Sequence, residues 1–188
     1  LRDSFVSSGL GDVYKRQLIR SSNAVGYTSY PDNLVEEFIE ESGKRGMDVF
    51  RIFDSLNWFE SMKTSITAVR ERTDGIAQAC ICYTGEVLNK TNNKYTIEYY
   101  VDLAKKLEDH GAHMLAIKDM AGLLKPYSAK ALITALKKAI DLPIHLHTHD
   151  TSGLQVATYL QAAEAGVDVV DVAPVSYTHL TLPTIFRV

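Results

Sequence analysis

Ile144-His145-Leu146-His147-Thr148-His149-Asp150-Thr151-Ser152-Gly153 carries a histidine at every second position and then breaks into a small polar turn. On a β-strand alternate side chains share a face, so His145, His147 and His149 point the same way. Three imidazoles in a row suit a dry core poorly. A His-x-His pair at the end of an apolar strand can instead approach one ion from a single side, since neutral imidazole is the commonest protein metal ligand. At this point ordinary, partly buried histidines stand as the alternative, and the rest of the chain has to decide.

The flanking sequence repeats one grammar. Ser128 is placed to cap a helix with Leu132, Ala135, Leu136 and Ala139 on one face, ending before Pro143 and the histidine strand. After it, a helix around Val156 to Ala163 ends at Gly166 and yields a strand over Val167 to Val172. Before it, Thr96 caps a helix with Ile97, Tyr100, Val101, Ala104 and Leu107, which ends at His110-Gly111 and leads into the strand His113 to Ile117. Earlier still, Leu18-Ile19-Arg20 precedes a helix opened by Pro31-Asp32, the strand Met47 to Phe53 follows it, and a helix with Phe59, Met62, Ile66 and Val69 leads to the strand Ile76 to Tyr83. Strict βα alternation predicts a parallel sheet. No Gly-x-Gly-x-x-Gly or P-loop follows any strand, which weakens a nucleotide-binding doubly wound sheet. Polar residues do close the strands: Arg20, Asp54, Thr84, Lys118-Asp119, His147 to Asp150 and Asp171. That is where a (β/α)8 barrel gathers its site. The expected fold is α/β, a partial TIM barrel with about six of the eight strands.

The chain has 188 residues, 46% hydrophobic and 23% charged, which fits a globular protein with one sizeable core. A net charge of −3 with scattered lysines and arginines gives no footprint for nucleic acid. No apolar run approaches the ~18 residues of a membrane helix and no signal-peptide pattern opens the chain, so a cytoplasmic enzyme is expected. The two cysteines, Cys80 and Cys82, read as small residues on one face of a strand.

Both ends call for a separate reading. Asp12-Val13-Tyr14-Lys15-Arg16-Gln17 can be encoded by GATGTGTATAAGAGACAG. The reverse complement of that string, read from its third base, gives Val-Ser-Tyr-Thr-His, which is Val175 to His179. Unrelated natural peptides have no reason for this relation, and the string resembles a transposon-derived sequencing adaptor. Residues 1–17 and 175–188 are therefore expected to be translated adaptor, leaving 18–174 as the barrel segment.

Four motifs bring the chain close to a known family: Asn23-Ala24-Val25-Gly26-Tyr27-Thr28-Ser29-Tyr30-Pro31-Asp32-Asn33, Asp48-Val49-Phe50-Arg51-Ile52-Phe53-Asp54-Ser55-Leu56-Asn57, Ile117-Lys118-Asp119-Met120-Ala121-Gly122-Leu123-Leu124-Lys125-Pro126 and His147 to Gly153. In order and spacing they resemble the carboxyltransferase domain of the pyruvate carboxylase family, across essentially all of Leu18 to Ala173. The oxaloacetate decarboxylase alpha subunit and the transcarboxylase subunit that acts on pyruvate share part of this wording and stand as alternatives. An aldol- or Claisen-type lyase or synthase of the same barrel superfamily, or a non-catalytic segment, stands further off.

The resemblance implies a biotin-dependent ligase that moves a carboxyl group from carboxybiotin to pyruvate, giving oxaloacetate. It implies a divalent metal, Zn or Mn, on Lys118, His147 and His149, with Lys118 carboxylated on its amine. A plain ammonium would repel the ion, whereas a carbamate is an anionic oxygen ligand. It implies that Arg20 grips the pyruvate carboxylate, a role suited to a planar bidentate donor. Tyr27 would face the same pocket, with a buried structural tyrosine as the other reading. His145 matches no ligand and is assigned to a supporting or core position. The partners implied are a biotin carboxyl carrier domain and a biotin carboxylase domain in a homo-oligomeric parent. The family's aspartate ligand on the first strand and its proton-shuttling threonine have no counterpart here, since Arg2-Asp3 lies too close to Arg20. The segment alone is thus expected to bind metal weakly, to turn over little, and to expose apolar faces.

Overall fold

The computed structural model describes residues 15–89, 91 and 94–172. Six strands alternate with five helices: β1 (Arg16–Ile19), α1 (Asp32–Lys44), β2 (Val49–Phe53), α2 (Phe59–Arg72), β3 (Ile76–Cys82), α3 (Ile97–Asp109), β4 (Met114–Asp119), α4 (Pro126–Ala139), β5 (Ile144–Thr148), α5 (Gln155–Glu164) and β6 (Val169–Val170). All neighbouring strands pair in parallel, and their order across the sheet is their order in sequence. A doubly wound sheet would reverse direction at a switch point, so this monotonic order is the wall of a barrel. It bears out the expected partial TIM barrel. The adaptor segments, apart from Lys15 to Gln17, lie outside the described residues. β1 takes in Arg16 and Gln17, so the expected boundary after Gln17 falls inside a strand.

Strand alternation separates two layers. One face, including Ile52, Ile81, Ile117 and Leu146, meets the apolar stripes of the helices in the main core. Ile39, Met62, Ile66, Leu107, Leu132 and Leu136 are fully buried there, each contributing roughly 1.5–3 kcal/mol of transfer free energy. The other face holds a smaller cluster of Phe53, Cys80, Cys82 and Ala116, with Leu18 and Met120 against it. Both cysteines are free and buried, as the small-residue reading has it. Burial pushes their thiols up to about 12 and about 11, so neither is a reactive thiolate at neutral pH.

Helix starts follow local chemistry, with one correction. Thr96 caps α3 by accepting the Tyr99 N–H on its hydroxyl. Ser128 does not cap α4, because Pro126 occupies the first turn and holds Lys125 extended at ψ 157°. The Ser128 hydroxyl is buried and donates to Glu86 instead. Among the described residues no helix is long and apolar enough to cross a membrane.

Candidate functional site

At the carboxyl ends of the strands lies a cavity of about 690 Å3 lined by residues that include Arg20, Arg51, Asp54, Lys118, His147 and His149. Register explains the meeting. Lys118 of β4 lies beside His147 of β5 and beside Cys82 of β3, all on the inner face. His149 follows one step past the end of β5, where its N–H donates to the Asp119 carbonyl at 3.1 Å. The His147 and His149 rings stand edge to face with centroids 5.1 Å apart.

Lys118 is only 8% exposed, and its ammonium nitrogen sits 5.2 Å from the Phe53 ring centroid. Burial lowers its proton affinity, and the charges of Arg51 and Arg20 push the same way against an opposing contribution from the two cysteines. Burial likewise lowers the His149 imidazole, helped by His147 and Lys118. Arg20 lines the cavity, and the Tyr27 ring stacks against its guanidinium at 4.5 Å. Tyr27 is 86% exposed, so the alternative of a buried structural tyrosine does not hold.

The loops are held by Asp119, fully buried at the end of β4. Its carboxylate accepts the Leu123 and Leu124 N–H groups at 2.9 Å each, the Ala121 N–H at 3.4 Å and the Thr148 hydroxyl at 3.3 Å. Gly122, at φ +65°, lets this loop lie on the next one: a Cβ there would stand 2.9 Å from the Ser152 nitrogen. Ser21, Ala24, Asn57 and Asp150 also take positive φ, Ser21 opening a short 3-10 turn (Ser21–Asn23), and all four follow strand carboxyl ends. Such conformations cost roughly 1–3 kcal/mol each and gather where loops shape a site.

Beneath the cavity is a polar layer that sequence reasoning left unassembled. Arg51, in the middle of the apolar β2, donates to Gln78 of β3 at 2.7 Å and to Asp171 at 2.8 Å. His145 is fully buried between Gln78 and Asp171, at 2.9 and 2.8 Å. This agrees with its expected place in a supporting or core position. Asp171 also bonds His147 at 2.8 Å and Arg16 at 3.2 Å. Burial alone would raise the Asp171 carboxyl, but the bonds from His145, His147 and Arg51 outweigh it and hold it well below the usual carboxylate range.

Among the described residues no three His, Cys, Asp or Glu side chains gather as a group able to hold a metal. Lysine adds the further donor. Two imidazoles and the Lys118 amine, if neutral or carboxylated, fit a divalent ion; a protonated Lys118 would repel it.

A sequentially ordered parallel sheet with its polar residues at the strand carboxyl ends defines a barrel protein of α/β class. The chain belongs to the HMGL-like family, whose model matches residues 37–175. Over 166 residues it is 58% identical to pyruvate carboxylase of Bacillus subtilis (strain 168), covering 88% of this chain and 14% of that protein. Over 167 residues it is 49% identical to the mitochondrial pyruvate carboxylase of Homo sapiens, again covering 88% and 14%. Among solved structures, it matches the carboxyl transferase domain of Rhizobium etli pyruvate carboxylase with pyruvate at 53% identity and TM-score 0.84, covering 87% of this chain and 28% of that one. The same domain with pyruvate and biocytin matches at 52% and 0.85, covering 87% and 27%. The resemblance read from the four motifs is thereby borne out, and the chain spans about 14% of the length of these curated relatives.

Proposed function

We propose that the chain is the carboxyl-accepting part of a biotin-dependent carboxylase, in which a carboxyl group passes from carboxybiotin to pyruvate and oxaloacetate forms. The observation that carries this reading is the convergence of Arg20, Lys118, His147 and His149 on one cavity. Arg20 holds the substrate carboxylate through two parallel N–H bonds, and the Tyr27 ring keeps its guanidinium plane in place. Lys118, desolvated at the cavity wall, is suited to react as a free amine with carbon dioxide; a C–N bond forms, one proton leaves, and a carbamate oxygen is gained as a ligand. His147 and His149 supply the remaining nitrogen donors. When bound, the metal would supply positive charge beside the oxygen of the pyruvate enolate, and biotin on its carrier domain the carboxyl group. Pyruvate would give up a methyl proton, which balances the carboxyl group lost from the biotin nitrogen, and its enolate carbon would bond the carbon dioxide in a pocket that Arg20 has oriented.

The proposal includes a carrier domain and a biotin carboxylase domain as partners, a homo-oligomer, and a cytoplasmic location. The rat, mouse and human relatives are named as mitochondrial, so cell fractionation separates the two locations. The activity is tested by following labelled pyruvate into oxaloacetate in the full-length protein that carries this sequence. Lys118→Ala and His149→Ala are each expected to lower the exchange by on the order of 100-fold or more. No exchange in the unaltered protein would overturn the activity; full exchange in both variants would overturn the residue roles.

A further inference from the structure

The polar layer beneath the cavity permits an assignment of its shortest donor–acceptor pairs, with Arg51 Nη2 lying 3.3 Å from both ring nitrogens of His145. The Arg51 Nε–H donates to the Gln78 carbonyl oxygen, which fixes the Gln78 amide with its NH2 toward His145 Nδ1. His145 Nδ1 must then accept, so its proton is on Nε2 and is donated to Asp171 Oδ1. The other carboxylate oxygen, Oδ2, accepts from Arg51 Nη1 and faces His147 Nδ1 at 2.8 Å. An ionised carboxylate only accepts, so His147 carries a proton on Nδ1, and in the neutral ring its Nε2 then keeps a free lone pair. Two neutral histidines two residues apart on β5 would thus hold opposite tautomers about one carboxylate, His145 set by Gln78 as well.

We propose that Asp171 is the positioning residue of the site: it takes the Nδ1 proton of His147 so that Nε2 presents a lone pair to the cavity, while Arg51, Gln78 and His145 hold the carboxylate in place. This rests on the reading of His147 as a metal ligand. Ligating histidines commonly donate their second ring N–H to a carboxylate, and loss of that partner weakens metal binding about 10–100-fold. Arg16 Nη1 also reaches Asp171 Oδ1, at 3.2 Å. It is the outermost of the four partners and is not needed for the tautomer argument.

The test uses the full chain with 15N-labelled histidine. Two-bond 15N–1H spectra report which ring nitrogen of each imidazole carries the proton, and Zn2+ affinity is measured by competition with a chelator. The unaltered chain is expected to show His147 protonated on Nδ1 and His145 on Nε2. In Asp171→Asn one acceptor oxygen is left; kept on the His145 side, it leaves the amide NH2 facing His147 Nδ1, at the cost of the Arg51 Nη1 bond. His147 should then shift its proton to Nε2 while His145 keeps its own, and Zn2+ affinity should fall about 10–100-fold. A purely structural role would lower stability without exchanging the tautomer. A proton on His147 Nε2 in the unaltered chain, or unchanged Zn2+ affinity in Asp171→Asn, would overturn the proposal. Should Asp171→Asn fail to fold, the unaltered spectrum still decides. Should the full-length protein that carries this sequence bind Zn2+ no better than its His147→Ala variant, the metal reading fails while the tautomer pair still tests the positioning.

Discussion

Replacing Asp119 with alanine removes the anchor of the loop that follows Lys118. Two backbone N–H groups, of Leu123 and Leu124, lose acceptors 2.9 Å away in a fully buried setting. Hydrogen bonds to a charged acceptor are worth about 1.5–3 kcal/mol each, and a buried donor left unpaired costs a similar amount. The longer contacts to Ala121 and the Thr148 hydroxyl add little. Allowing for water entering the space, the expected loss is about 4 kcal/mol, against a total stability of roughly 5–15 kcal/mol for a domain. With a urea slope of about 2 kcal/mol/M, the unfolding midpoint should drop by about 2 M. Asp119→Asn keeps one acceptor oxygen and should lose about half as much. Hydrogen exchange localises the effect, since the Leu123 and Leu124 amides should lose protection well before those of β3. A loss below about 1 kcal/mol, or unchanged protection at those two amides, would refute the view that this carboxylate organises the loop.

Two further outcomes follow from the same geometry. Gly122→Ala meets backbone nitrogens of Ser152 and Thr151 at 2.9 and 3.1 Å, whereas Gly153→Ala, also at positive φ, meets open space. The first should therefore cost about 2 kcal/mol or more and the second about 1 kcal/mol, read as a difference in Tm; equal losses would refute the loop-on-loop contact. The pH dependence has a definite sign. Burial lowers the proton affinities of His113, His145 and His149 in the folded chain. The unfolded chain therefore binds those protons first, so stability is complete above pH ~6.5 and falls as the pH drops toward the folded values. A thermal-melting series from pH 8 to 5 should show a falling Tm, and a flat series would contradict the burial of these rings.

Much of the wall was legible in the sequence because its signals are periodic and local. Phe59, Met62, Ile66 and Val69 announce α2, and Thr96 announces the start of α3. Ser128 misled because a serine before an apolar run looks like a cap, although Pro126 two residues earlier had already set the first turn. The cavity residues could be nominated from strand ends, where Lys118 and the His-x-His pair stand out. Arg51 and Gln78 could not, since each is a lone polar residue in an otherwise apolar strand. Only the pairing of Arg51 with Gln78 across β2 and β3, and the approach of His145 and Asp171 from β5 and its neighbour, gives them meaning. Asp171 was visible as another polar strand end, but its four partners come from distant parts of the chain. The exposed stacking of Tyr27 on Arg20 has no sequence signature either.

The pairing of Lys118 with His147 makes the site a matter of parity. Inserting or deleting a single residue before Lys118 within β4 would turn its amine toward the helices and bring Ile117 or Asp119, respectively, into its place at the cavity. Adding residues to the loops between helices and strands would leave that parity untouched. Among homologues, length should therefore vary in the connections and the outer helices while Met114–Asp119 and Ile144–Thr148 keep their residue count. A gap of odd length inside either strand, ahead of Lys118 or His147, would turn that side chain away from the cavity even where the residue itself survives.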